Sequence, residues 1–191
     1  MTQGVGMKVW AFLWAGAVLC GVAVAEEEDI VSKMINKTTS SWSIQPDKPK
    51  SKYIKADVLG GHAVRVRADK STNPWDVQAS SPIEGAIHEG DVIMINYFAR
   101  AEEPAEGGSS LTVRVQLAGP PYNSVLEKTS KITSEWKSYC GFSIANASMG
   151  ENKSSVSIHL ATAKQVIDLG PVMVFNFGQG YDLKKLAFCN D

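Results

Sequence analysis

The sequence predicts an all-β fold, a two-sheet antiparallel β-sandwich. Three observations carry the prediction. Six runs alternate apolar and polar residues with the period of two that a half-buried strand requires. Clusters of turn residues separate the runs: "DKPKSK", "ADKSTNPW", "AEEPAEGGSS", "AGPPYNS" and "SMGENKS". No helical period appears beyond the N-terminal segment, and many short strands with regular turns lead to a sandwich or barrel.

The first segment is set apart from that domain. Lys8, an apolar run from Val9 to about Val22 and the small-residue end Ala23-Val24-Ala25 match a secretory signal peptide over residues 1–25, with Met7 as an alternative start. A membrane anchor is the competing reading, but the run is shorter than the roughly 18 residues expected of a spanning helix. Cys20 follows Leu19, not Gly or Ala, so it does not make a lipoprotein signal. The expected destination is secreted or periplasmic, with no membrane attachment after cleavage. Residues 26–41 are polar and read as a linker or an edge strand. The sandwich is expected over 42–186 and a short tail over 187–191.

The strands follow in order. "GHAVRVRA" (61–68) places Val64 and Val66 on one face. "GDVIMINYFARA" (90–101) starts at a Gly-Asp turn and sets Asn96, Phe98 and Arg100 opposite Ile95 and Tyr97. "SLTVRVQLAG" (110–119) sets Leu111, Val113, Val115 and Leu117 against Thr112, Arg114 and Gln116. "SEWKSYCGFSI" (134–144) alternates Trp136, Ser138 and Cys140 with Lys137 and Tyr139. "SSVSIHLAT" (154–162) sets Val156, Ile158 and Leu160 against Ser157 and His159. "QVIDLGPVMVFNFG" (165–178) closes the fold. Trp42 and Trp136 fall within apolar patterns and are expected in the core.

Composition narrows the function classes. With 191 residues, 44% hydrophobic and 20% charged, the chain is globular and long enough for one sizeable core. A formal net charge of −1 gives no reason to expect nucleic acid or an anionic membrane as partner, and a monomer is expected. Cys140 and Cys189 are either a disulfide or two separate thiols. His62, His88 and His159 lie too far apart in sequence to suggest a zinc site.

Catalytic patterns are missing. There is no G-x-S-x-G elbow, and most acids sit in turns: Glu102, Glu103, Glu106, Glu127 and Glu151. Asp168 is a lone strand acid, read as the partner of a basic or backbone group, and Asp76 has no second carboxylate to make a glycosidase pair. No glycine pattern cradles a phosphate.

The polar strand faces are more informative. If their strands share a sheet, Asn96, Phe98, Arg100, Thr112, Arg114, Gln116, Ser157 and His159 make one surface of amide, imidazole and guanidinium groups with an aromatic ring. Neutral sugars need such a surface: planar donors and acceptors for hydroxyls, and rings for stacking. The competing reading is a solvated sheet face. "NPWDVQAS" (73–80) adds Trp75 and Gln78, with Trp75 either a stacking ring or a plug for the end of the core. Tyr122, after two prolines, is either a cleft rim or a cover for the sandwich edge.

Taken in order, "GDVIMINYFARAEE", "LTVRVQLAGPPYN", "ITSEWKSYCGFSI" and "SVSIHLATAKQVIDLGPVMVFNFG" resemble the jelly-roll carbohydrate-binding modules that accompany xylanases and other glycoside hydrolases. The likeness spans about residues 42–178. It implies a galactose-binding-like β-sandwich and non-catalytic binding of a plant-type β-glycan, polysaccharide or oligosaccharide, in a cleft on the concave sheet. Carried across, the cleft positions are Arg100, Arg114, Gln116 and His159, with Trp75 and Gln78 on an adjoining strand or loop; Tyr122 joins them as the rim residue suggested by its place after two prolines. The resemblance also implies a possible structural calcium near the last strand. Asp168 is the acid available there, whereas "INKTTSSW" before Trp42 lacks the usual acids. With the chain ending at Asp191, a free-standing module is expected. The alternatives are a glycan-active hydrolase or lyase, a hydrolase accessory domain, and an adhesion sandwich whose partner is protein.

Overall fold

The computed structural model describes residues 29–38, 42–46 and 51–189. The leader read over 1–25 lies outside them. The described strands are β1 (Ser43–Gln45), β2 (Ser51–Lys55), β3 (His62–Ala68), β4 (Gln78–Ile83), β5 (Asp91–Glu103), β6 (Ser109–Leu117), β7 (Ser124–Ile132), β8 (Lys137–Ile144), β9 (Ser154–His159) and β10 (Gln165–Gln179). They form two antiparallel sheets, the first ordered β1-β4-β9-β6-β7 and the second β2-β3-β10-β5-β8. Among the described residues no helix is long and apolar enough to cross a membrane.

The alternating residues face each other between the sheets. Leu111, Val113, Val115, Val156 and Ile158 from the first sheet meet Val64, Val66, Ile93, Ile95, Ile167 and Leu169 from the second in one buried cluster. Trp42 joins this core, and its indole N–H donates to the Gly170 carbonyl at 2.9 Å. That bond satisfies the polar atom a buried indole brings with it.

The outer face of the second sheet is closed in two different ways. Its lower part is apolar: Val92, Met94, Phe175 and Phe177 pack under a 3-10 turn, Leu183–Cys189, through buried Leu186 and Cys189. A disulfide between Cys140 of β8 and Cys189 fastens that turn. The tail read for 187–191 is therefore tied to the sheet as far as Cys189. Near the other end of the chain, Ile35 N donates to Val174 O, while Asn36 accepts from Val174 N and donates to Val172 O. The polar segment before Trp42 thus pairs with the part of β10 that β3 does not reach.

The upper part of the same face is ionic, and it corrects three sequence expectations. Arg100 stands on β5, in the second sheet, so it does not share a surface with Arg114. Its Nε donates to Asp168 Oδ2 at 2.8 Å, and Arg65 donates to both carboxylate oxygens at 2.7 and 2.9 Å. The Asp168 side chain is 0% exposed between these two guanidinium groups. It is the basic-group partner its lone position suggested, and it does not fit the calcium ligand the resemblance implied, since both oxygens are taken by cations. Among the described residues no group of three or more His, Cys, Asp or Glu could hold a metal ion. Trp136 precedes β8 on this outer face, half-buried under the Arg100 guanidinium at 5.4 Å, and is not a core residue. Tyr139 supplies the inward ring instead, stacked on Tyr97.

Two outcomes follow. Asp168→Asn removes the buried carboxylate between Arg65 and Arg100, leaving both guanidinium groups with Glu102 as their remaining anionic partner, and should cost on the order of 2 kcal/mol in chemical denaturation; an unchanged midpoint would show that the buried carboxylate adds nothing. Reducing the disulfide, or Cys189→Ser, should cost about 2–4 kcal/mol and lower Tm by on the order of 10 °C, with no change in strand content by circular dichroism.

Candidate functional site

Antiparallel register lines up the outward residues of the first sheet in rungs. Gln45 lies opposite Gln78, Gln78 opposite His159, His159 opposite Thr112, and Thr112 opposite Thr129. The next rung runs Ser43, Ser80, Ser157, Arg114, Glu127. The third carries Ser155, Gln116 and Ser124. Each rung is polar because the residues between them fill the core.

Loops at both ends of the strands raise aromatic rings over this floor. At one end a 3-10 turn, Pro74–Asp76, carries Trp75. The turn is pinned to the exit of β9, with Ala161 N donating to Pro74 O at 3.0 Å and Leu160 N to Val77 O at 2.9 Å. Asp76 accepts from Ser71 Oγ and Asn73 Nδ2. Trp75 is 55% exposed and meets His159 edge-on at 6.0 Å, so it is not a core plug. At the other end the β6–β7 connection presents Tyr122, 47% exposed. Tyr122 has φ +58°, a left-handed conformation that is uncommon for a bulky residue.

Between the rings lies a cleft of about 810 Å³, lined by Trp75, Gln78, Arg114, Gln116, Tyr122 and His159, with Pro121, Asn123, Ser124, Asn146 and Ala147. From β4 to β7 the floor is about 14 Å wide, and from the Thr112 rung to the Gln116 rung about 13 Å long, by ordinary sheet spacings. Six of the seven residues chosen from sequence line this cleft; Arg100 is the exception. The reading missed the loop residues. Asn146 and Ala147 come from the β8–β9 connection, which carries no strand pattern to place it. Asn123 and Ser124 follow Tyr122 directly and were there to be found in "GPPYNS".

The floor residues are not equivalent. Gln78 is satisfied within the protein: its Nε2 donates to Gln45 Oε1 at 2.9 Å and its Oε1 accepts from Ser157 Oγ at 3.0 Å. Gln116 is only 6% exposed, yet its buried Oε1 has no partner. Arg114 donates through Nη2 to Tyr122 O at 3.3 Å and Ser124 Oγ at 3.1 Å. Its Nε lies 3.1 Å from Glu127 Oε2, an ion pair whose angle leaves Nε without a hydrogen bond. His159, 7% exposed, has its pKa pushed below 6.5 by burial first and by the Arg114 charge second, with Glu127 opposing. At neutral pH it offers one donor and one acceptor.

The sign of that shift gives a testable pH dependence. The unfolded chain takes up the His159 proton near pH 6.5, the folded one at lower pH. Stability held above pH 6.5 should therefore fall as pH drops below 6.5 toward the folded value. Urea titrations at pH 7.5, 6 and 5 should show a decline in wild type that His159→Gln lacks; equal slopes in both would mean that this imidazole does not couple to folding.

No protein-family model matches the chain, and no curated protein matches it. Solved structures do. One described as "CBM4 structure and function" has a TM-score of 0.50 at 18% identity, covering 66% of this chain and 94% of that one. The second N-terminal cellulose-binding domain of a β-1,4-glucanase C from Cellulomonas fimi has a TM-score of 0.53 at 19% identity, covering 77% and 93%. An arabinose-bound α-L-arabinofuranosidase has a TM-score of 0.54 at 13% identity, covering 76% of this chain but 26% of the enzyme. At these identities the likeness establishes the fold alone, a two-sheet antiparallel jelly-roll β-sandwich.

Proposed function

We propose that this protein binds a neutral plant-type β-glycan in the cleft of the first sheet and does not cleave it. The observation that carries the proposal is the cleft itself: a polar floor of Gln78, Arg114, Gln116 and His159 flanked by two exposed aromatic rings. Amide and imidazole groups supply the planar donors and acceptors that sugar hydroxyls need. The rings of Trp75 and Tyr122 suit the apolar faces of pyranose units.

Binding without hydrolysis is favoured by the lining. Among the described residues it contains no Asp or Glu, so the pair of carboxylates that glycoside hydrolysis employs is missing from them. The neighbouring Glu127 is an ion-pair partner of Arg114. A secreted or periplasmic location belongs to the same reading, because the Cys140–Cys189 disulfide suits an oxidising compartment.

Calorimetry against xylan, β-glucan and mannan, with a reducing-end assay alongside, tests the reading. Saturable binding with no reducing ends released is expected; no binding to any glycan, or release of reducing ends, would overturn it. Gln116→Leu should weaken binding about tenfold, the worth of one hydrogen bond, without lowering Tm, because Oε1 has no internal bond to lose. Gln78→Leu should lower Tm, because it breaks the bridge between Gln45 and Ser157. If Gln116→Leu binds as wild type does, the Gln116 amide does not contact the ligand.

A further inference from the structure

The geometry points to Arg114 as the positioning residue for Tyr122, so that the guanidinium acts on a bound glycan through the rim of the cleft; this rests on the binding reading above. The β6–β7 connection is anchored at its base by Leu117 N donating to Asn123 O at 3.0 Å, and it turns through Tyr122 N donating to Gly119 O at 3.0 Å. Those two bonds close the loop but make no contact with the Tyr122 carbonyl. A left-handed φ of +58° at a ring-bearing residue persists only where the surroundings over-determine it.

Arg114 supplies that constraint. One Nη2 reaches both the Tyr122 carbonyl and the Ser124 hydroxyl, on either side of Asn123. Glu127, opposite Arg114 in register on β7, holds the guanidinium from the other side at 3.1 Å. The planar fork is therefore fixed between a strand and a loop, and a lysine cannot replace it, since an ammonium lacks the rigid two-sided geometry. Trp75 stands on a turn tied down by its own backbone bonds. The spacing of the two rings, and with it the width of the cleft, then depends on the side whose conformation Arg114 sets.

Amide hydrogen exchange without any ligand, joined to a double-mutant cycle with ligand, decides the matter. In Arg114→Ala, exchange at the Tyr122 amide should rise at least about tenfold while β9 amides at Val156 and Ile158 stay as in wild type. Arg114→Lys, which keeps a charge for Glu127, should show the same local rise and covers the case in which the alanine variant folds poorly. Affinity for the best-bound of xylan, β-glucan and mannan should fall in Arg114→Ala and in Tyr122→Ala. The double variant should be no weaker than the worse single one, because the two act as a unit. Unchanged loop exchange, or losses that multiply, would overturn the proposal. If wild type binds no glycan, the binding reading fails and the exchange result alone still decides whether Arg114 positions Tyr122.

Discussion

The register of β6 between β9 and β7 is the constraint on which the site depends. Side chains alternate strictly along a strand, so a slip of one residue would turn Arg114 and Gln116 into the core and Val113 and Val115 into the cleft. The buried cost of that exchange holds the register. Leu111, Val113 and Val115 are all fully buried against the second sheet. The polar floor is therefore a by-product of core packing: the same pairings that bury Val115 opposite Val156 bring Arg114 opposite Ser157 and Gln116 opposite Ser155.

The two outer faces of the sandwich are treated in opposite ways. The second sheet is covered below by the Leu183–Cys189 turn and its disulfide, and above by the Arg65–Asp168–Arg100 cluster with Trp136. On its outer face Asp168 is bonded by both arginines, Glu102 pairs with both, and Asn96 pairs with Ser138. In the first sheet some polar groups are paired, such as Gln78 and the Thr112–Thr129 hydroxyls, but the Gln116 Oε1 and the Arg114 Nε are left without hydrogen bonds. A face whose ionic groups pair with one another stabilises the fold; a polar floor framed by exposed rings is suited to a ligand.

Much of this was legible in the alternation. β3, β5, β6 and β10 lie within a residue or two of their sequence patterns, and β9 starts where its pattern does but ends three residues sooner, since each has an uninterrupted apolar set to bury. β7 was not visible, because its inward set is Leu126, Lys128, Ser130 and Ile132. Lys128 lays its stem against Gly141 at the sandwich edge, so a charged residue occupies an inward position there. β1 and β2 are short edge strands with few buried residues to betray them. The misplacement of Arg100 has a different cause. Alternation reports which face of a strand is polar, but not which sheet the strand joins, and β5 pairs with β10 and β8 instead of β6. Its guanidinium looked like a ligand fork, and its fork is filled by Asp168. The cleft loops were least legible, since the position of Asn146 depends on the path of a turn.

The central claim is that the first sheet, and not the second, is the glycan-binding face. Backbone amide chemical shifts, followed by NMR during titration with a soluble oligosaccharide of the best-bound glycan, test it most directly. The account predicts shifts confined to β4, β9, β6 and the loops carrying Trp75, Tyr122 and Asn146, with the indole N–H of Trp75 among the largest. Shifts centred on Arg65, Arg100 and Trp136, or none at saturating ligand, would contradict it.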